Sequence, residues 1–361
     1  MNSTRNRTLT TLFIIGIVLS IALLITYIPR EESLGTPMLN GTKLQDTKIE
    51  HAIKNFKSIS SGKDKTPPLI VSNEHLTLKK GAAKIPNPLI CIDDFDKSVE
   101  CKIEGEYDLN KSGKYKLKRV AIDSAGNRAE KDLILNVVDE IAKYEPKDPV
   151  PLNFATAVKN YKNKDTSVGI DVSKWQGKID FEKVADSSAE FVMIRIGVQD
   201  GFAGKPLLDK FFLQNYINAK AAGLKVGVYF YSYATTLEEA AEQAYFVTET
   251  LRGNGMDLDL PVVFDWESWE KLSTLNMSLN DLNDCAKIFL EIVEKEGYEG
   301  ALYGSKFYLK NNLWLLDDYD MWLAHYANQT DYEGKYFMWQ CSANGRIPGI
   351  QGDVDINILY K

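Results

Sequence analysis

The feature that most restricts the fold lies after residue 166, where short apolar runs rich in β-branched residues alternate with amphipathic segments. Val168-Gly-Ile-Asp-Val-Ser173, Phe191-Val-Met-Ile-Arg-Ile-Gly-Val198 and Lys225-Val-Gly-Val-Tyr-Phe-Tyr-Ser-Tyr233 have the length and composition of strands. Leu260-Pro-Val-Val-Phe-Asp-Trp-Glu267 supplies a fourth. Between them, helical periodicity runs over 180–188, 209–222, 236–253 and 279–296, with Gly223, Gly253 and Gly297 at the stops. Strands near 300–303, 320–326, 336–341 and 354–359 then follow with less helix between them. Repeated strand–helix units ending in closely spaced strands predict an α/β chain that closes as a parallel, TIM-like barrel whose last third has lost its helices.

The fourth strand ends in two carboxylates. Side chains alternate along a strand, so Val263, Asp265 and Glu267 share one face, with the acids roughly 6–7 Å apart at Cβ. That spacing lets each disturb the other's ionisation and suits two carboxyls acting on one glycosidic bond. In a barrel, the C-terminal strand ends meet at one mouth. Placed there are Asp171, the face Tyr229, Tyr231 and Tyr233, then Asp265 and Glu267, Tyr303, Trp322 or Tyr326, Trp339 or Gln340, and Asp355. Carboxylates ringed by aromatics form a carbohydrate cleft, since sugar rings stack on flat faces; packing is the competing role for each ring.

Upstream, residues 9–28 are almost continuously apolar and uncharged, enough for a bilayer-spanning helix. Arg5 and Arg7 precede this stretch and Glu31 and Glu32 follow, which puts residues 1–8 in the cytoplasm and everything after residue 30 outside. The expected location is the cell membrane, as a single-pass signal anchor; secretion after signal cleavage is the alternative. Residues 29–65 read as a polar stalk with one short helix around Ile49, Ile53 and Phe56. From 66 to 139, short alternating segments separated by Pro-Pro, Lys-Lys-Gly, Lys-Ser-Gly and Ser-Ala-Gly-Asn turns suit a small all-β sandwich. Residues 140–166, with Pro146, Pro149 and Pro151, read as a linker to the barrel at 167–361. Cys91 and Cys101 fall in the sandwich and Cys285 and Cys341 in the barrel, so one bridge per domain is the simplest pairing, with buried thiols as the alternative.

Composition removes several chemistries. A net charge of −7 with no basic run beyond the first residues argues against nucleic acid. The three histidines, His51, His75 and His325, are not at ligand spacing, which leaves little for zinc sites or Ser-His-Asp catalysis. No cofactor or metal is implied, and no protein partner is indicated.

Gly169-Ile-Asp-Val-Ser-Lys-Trp-Gln-Gly177, Phe264-Asp-Trp-Glu267, Met321-Trp-Leu-Ala324 and the closing Trp339-Gln…Gly345-Arg-Ile-Pro-Gly-Ile…Gly352-Asp-Val-Asp-Ile-Asn357 together resemble glycoside hydrolase family 25, the Chalaropsis-type lysozymes. The segment 113–139 resembles bacterial immunoglobulin-like modules, which serve as spacers or adhesive units. The first resemblance implies a flattened (β/α)5(β)3 barrel that cleaves the β-1,4 bond between N-acetylmuramic acid and N-acetylglucosamine in peptidoglycan glycan strands, with retention. It implies Glu267 as general acid and Asp265 as an ionised stabiliser, nucleophile or orienter of the substrate acetamido group. Asp171 and Asp355 would tune charge and hold substrate or water. Cys341 departs from the pattern where an aromatic residue is expected, which would weaken one stacking surface. The competing readings are a non-catalytic glycan-binding or adhesion protein and a chitinase-like hydrolase.

Overall fold

The computed structural model describes residues 42–60, 62–85, 90–142 and 150–361. Residues 9–28 lie outside these, and among the described residues no helix is long and apolar enough to cross a membrane.

The first element is α1 (Thr42–Asn55). Its apolar residues Ile49, Ala52 and Ile53, with Phe56 just beyond, pack on the main hydrophobic core, and Lys48 pairs with Glu249 at 2.8 Å. The Ile59 amide donates to Asp284 Oδ1 at 2.8 Å. From residue 42 onward, the segment expected as a stalk is thus a docked helix. The short helix expected around Ile49, Ile53 and Phe56 is present, and its apolar face is what docks.

Six strands follow: β1 (Leu69–Val71), β2 (His75–Lys79), β3 (Ile90–Ile92), β4 (Glu100–Glu104), β5 (Gly113–Ile122) and β6 (Arg128–Val138). They make a four-stranded sheet ordered β2-β6-β5-β4 and a two-stranded sheet β1-β3. The β5–β6 hairpin turns through Asp123-Ser-Ala-Gly-Asn127, where Asp123 Oδ1 accepts from the Asn127 amide and Gly126 takes φ +89°. A Cys91–Cys101 disulfide joins β3 to β4. Val71 and Ile92, on the two-stranded sheet, belong to the same core as the barrel's outer face.

Next comes α2 (Phe154–Tyr161), capped by Asn153, with Phe154 and Ala157 fully buried. Its contacts are with the first and last barrel strands. Residues 150–166 are therefore part of the barrel rather than a linker.

The barrel strands are β7 (Thr166–Val172), β8 (Phe191–Gln199), β10 (Lys225–Tyr231), β11 (Val262–Asp265), β12 (Gly300–Ser305), β13 (Asp320–Ala324), β14 (Met338–Gly345) and β15 (Val354–Tyr360). A short β9 (Pro206–Leu208) is added to β8 as a hairpin. Helices α3 (Phe181–Asp186), α4 (Phe212–Ala221), α5 (Leu237–Gly253), α6 (Leu279–Lys295) and α7 (Lys306–Leu309) intervene. Thr236 caps α5 and a Ser278/Asp281 capping box starts α6. Pairing runs β7-β8-β10-β11-β12-β13-β14-β15 and back to β7, closing eight strands. One expectation fails: β15 is antiparallel to both neighbours. The eight residues joining it to β14 are too few for the crossover a parallel strand needs.

Burial of β7 along its whole length follows from coverage on both faces. Phe191, Met193, Val263, Ala301, Trp322, Met338 and Leu359 fill the barrel's interior, while the helices pack a larger core outside. Phe191 is the reason for Gly169: a Cβ there would lie 2.4 Å from the Phe191 carbonyl oxygen and 2.6 Å from its ring.

Candidate active site

Above this apolar plug, the strand ends supply a polar layer. Register does the placing. Asp355 on β15 stands opposite Asp171 on β7, Gln340 on β14 opposite Asn357 on β15, and Tyr231 on β10 opposite Asp265 on β11.

Asp171 is 4% exposed, and its Oδ2 accepts from Gln340 Nε2 and Asn357 Nδ2, each at 2.8 Å. Gln340 is itself oriented, because the hydroxyls of Tyr303 and Tyr326 donate to its Oε1 at 2.9 and 3.2 Å. Burial pushes the Asp171 carboxyl up, and its three hydrogen-bond partners oppose this. Asp355, hydrogen-bonded to Asp171, is pushed to about 9 by burial first and by the Asp171 charge second. The pair therefore keeps a proton at neutral pH, on Asp355, while Asp171, which accepts from two side-chain amides, carries the charge.

Asp265 closes β11 and is 5% exposed, with Oδ1 buried and unpartnered. Glu267 lies just past the strand end, with Trp266 between them fully buried, and its carboxyl opens to the mouth. Both carboxyls are raised, chiefly by burial; for Asp265 the Glu267 charge comes next. Glu267 has the larger accessible surface of the two, so without ligand the proton they share rests on Asp265. The cause is depth: the strand end buries it, whereas Glu267 sits on the loop.

Arg195 also lines the mouth, where its charge opposes the rise of Asp265. Its Nε and Nη2 donate to Asp209 Oδ2 at 2.9 and 2.7 Å in a buried pair. That same oxygen accepts from the Lys174 amide at 2.9 Å, fixing the turn Lys174–Gln176. The turn presents Trp175, 75% exposed, at the rim.

Of the other expected residues, Tyr229, Tyr231, Tyr303, Trp322, Tyr326 and Gln340 line the mouth. Trp322 is a wall rather than an open stacking face, since Tyr229 and Tyr303 meet it edge-on at 5.8 and 5.1 Å and its Nε1 donates to Asn357. Two expectations fail. Tyr233 lies two residues beyond β10 and packs on Phe202 and Tyr231 outside the mouth. Trp339 points to the outer core, edge-on to Tyr161, because strand alternation gives the interior to Gln340. Cys341 shares that outer core, so no stacking surface is lost with it. Cys285 and Cys341 are buried free thiols, not a bridge.

Arg195, Asp209, Asn357, Ser173, Trp175 and Gln176 were not singled out as site residues from the sequence. Arg195 had a signal, the lone charge within the apolar run of β8. Asp209 had none.

Residues 170–350, half of the chain, match the profile described as glycosyl hydrolases family 25. The chain belongs to that family. Among curated relatives, the Escherichia coli K12 protein YegX is 30% identical over 195 residues, covering 53% of this chain and 68% of YegX. The autolytic lysozyme of Clostridium acetobutylicum is 28% identical over 52% of this chain and 54% of its own length. Lysozyme M1 of Streptomyces globisporus is 29% identical over 52% and 66%. The family 25 barrel is a glycoside hydrolase domain of the lysozyme kind.

Proposed function

We propose that the chain is a membrane-anchored muramidase that cleaves the β-1,4 bond between N-acetylmuramic acid and N-acetylglucosamine in peptidoglycan, with retention. In this reading residues 9–28 hold it in the cytoplasmic membrane and the later domains work outside. The all-β unit is an immunoglobulin-like module. The observation that carries the reading is Asp265, whose buried Oδ1 lacks a partner beside Glu267. Structural carboxylates are satisfied when buried; an unpartnered oxygen on a residue that lines a cleft awaits something from the ligand.

Glu267 is the general acid. Sugar covering the mouth strips its remaining water, raises its proton affinity and draws the shared proton from Asp265 to Glu267. Protonation of the glycosidic oxygen then leaves Asp265 ionised as positive charge develops at the anomeric carbon. From there Asp265 stabilises that charge, attacks the carbon or orients the 2-acetamido group. Asp171, fixed by Gln340 and Asn357, and Asp355 hold substrate or water at the opposite wall. Trp175, Tyr231 and Tyr326 offer faces for sugar rings.

The test is reducing-end release from purified peptidoglycan by the full chain in detergent, beside Glu267→Gln, with products reduced by borohydride and weighed by mass spectrometry. Reduced muramic-acid ends from the wild type and at least a ~100-fold loss in the variant are expected. Binding without new ends in either protein would leave a glycan-binding barrel instead, and reduced glucosamine ends would make it a different glycosidase.

A further inference from the structure

Away from the barrel mouth, three more carboxylates converge. Asp64, Asp93 and Asp94 each bring an oxygen within 4.8 Å of the other two. Asp93 and Asp94 follow β3, and Asp64 lies between α1 and β1.

Two of them are oriented by backbone amides, and all three keep a second oxygen without a partner. Asp93 Oδ1 accepts from the amides of Phe95 and Asp96 at 2.8 and 2.7 Å, and Asp64 Oδ1 from that of Thr66 at 3.0 Å. Asp64 Oδ2, Asp93 Oδ2 and Asp94 Oδ1 are buried with no hydrogen-bond partner. Asp93 as a residue is only 2% exposed. Three desolvated carboxylate oxygens gathered within 4.8 Å, two of their side chains held by backbone amides, are costly unless a cation sits between them.

We propose that Asp64, Asp93 and Asp94 bind one calcium ion at the joint between the all-β unit and the barrel. The donors are all oxygen, the choice of a hard divalent cation. Calcium holds oxygens at about 2.3–2.6 Å, so two oxygens on one ion lie at most about 5 Å apart, which this cluster meets; magnesium sheds its water reluctantly and is seldom held by a cage of protein oxygens. Other positions fall to water and nearby carbonyls. The carbonyls of Asp93 and Asp94 accept from the Leu279 and Asn280 amides, at 2.7 and 3.2 Å. These are the first amides of α6, so the ion would tie the segment after α1, the exit of β3 and the start of α6 into one joint.

The experiment takes the full chain in detergent, stripped with EDTA and exchanged. Calcium chloride, and separately magnesium chloride, is titrated while heat of binding and thermal unfolding are followed. One calcium per chain is expected, with Tm raised by about 4 °C at saturation and magnesium binding at least ~10-fold weaker. Asp93→Asn and Asp64→Asn keep the oxygen that accepts the amides and remove the charge; each should weaken calcium at least ~10-fold. Asp318→Asn, an exposed carboxylate on the barrel between α7 and β13, should bind as the wild type. Should Asp93→Asn fail to fold, Asp64→Asn, on a more exposed residue, decides alone. A folded wild type with no saturable calcium binding up to about 10 mM, a range that includes weak extracellular sites, would overturn the proposal. So would Asp64→Asn binding as tightly as the wild type.

Discussion

Asp355→Asn should make the protein more stable at alkaline pH. In the native state burial and Asp171 hold the Asp355 carboxyl up at about 9, against 3.8 for an ordinary aspartate. Between those values the folded chain binds a proton that the unfolded chain has released. Stability then falls with rising pH by about 1.4 kcal/mol per unit for each proton so held. This contribution is fully present below pH 3.8 and is lost as pH rises through 9. From pH 5 to 8 one whole proton corresponds to about 4 kcal/mol, and sharing with Asp171 brings the expectation to about 2–4 kcal/mol. Asparagine has no proton to lose, and its amide replaces the carboxyl O–H as donor to Asp171. The measurement is urea unfolding by tryptophan fluorescence of both proteins at pH 5, 6, 7 and 8. The variant's advantage should grow with every step of pH. A difference that stays flat, or one that shrinks, would refute the protonated Asp355 and the pairing built on it.

Further outcomes follow from the same geometry. Gly169→Ala must displace Phe191 from the barrel plug, a loss of about 2–4 kcal/mol readable as a lower urea midpoint without altered slope. Arg195→Met leaves Asp209 charged and buried, at about 3–5 kcal/mol in stability. Trp175→Ala removes an exposed ring, so unfolding should stay unchanged while KM for glycan rises several-fold. Cys285 and Cys341 should react with a thiol reagent only after denaturation, two per chain, whereas the Cys91–Cys101 pair reacts only once reduced.

Much of the barrel was legible because period and length agree there. Mostly apolar runs of six to nine residues separated by amphipathic helices leave few alternatives, and the acids at the ends of the parallel strands β7 and β11 fall on a common mouth. Legibility stopped where the deciding fact was non-local. Whether Trp339 or Gln340 faces inward depends on pairing with β13 and β15, not on either residue. Tyr233 obeys strand alternation on paper, yet the strand ends at Tyr231. The order of proton affinity between Asp265 and Glu267 turns on a two-residue difference in depth. Asp209 is visible only through Arg195, fourteen positions away, and the acidic trio only through a meeting of segments some thirty residues apart.

The docked α1 changes how force passes through the molecule. Chain order puts the all-β unit between α1 and the barrel, which suggests a mast that lifts the barrel away from whatever holds the N-terminal end. Yet α1 is fastened directly to α5 and α6, through Lys48–Glu249, Ile59–Asp284 and the apolar strip from Ile49 to Phe56. Tension applied between residue 42 and the barrel mouth therefore crosses that lateral contact and bypasses β1–β6. The all-β unit, itself packed on the barrel through Val71, Ile92 and the Asp93 and Asp94 carbonyls, lies off that line of pull until α1 has peeled away.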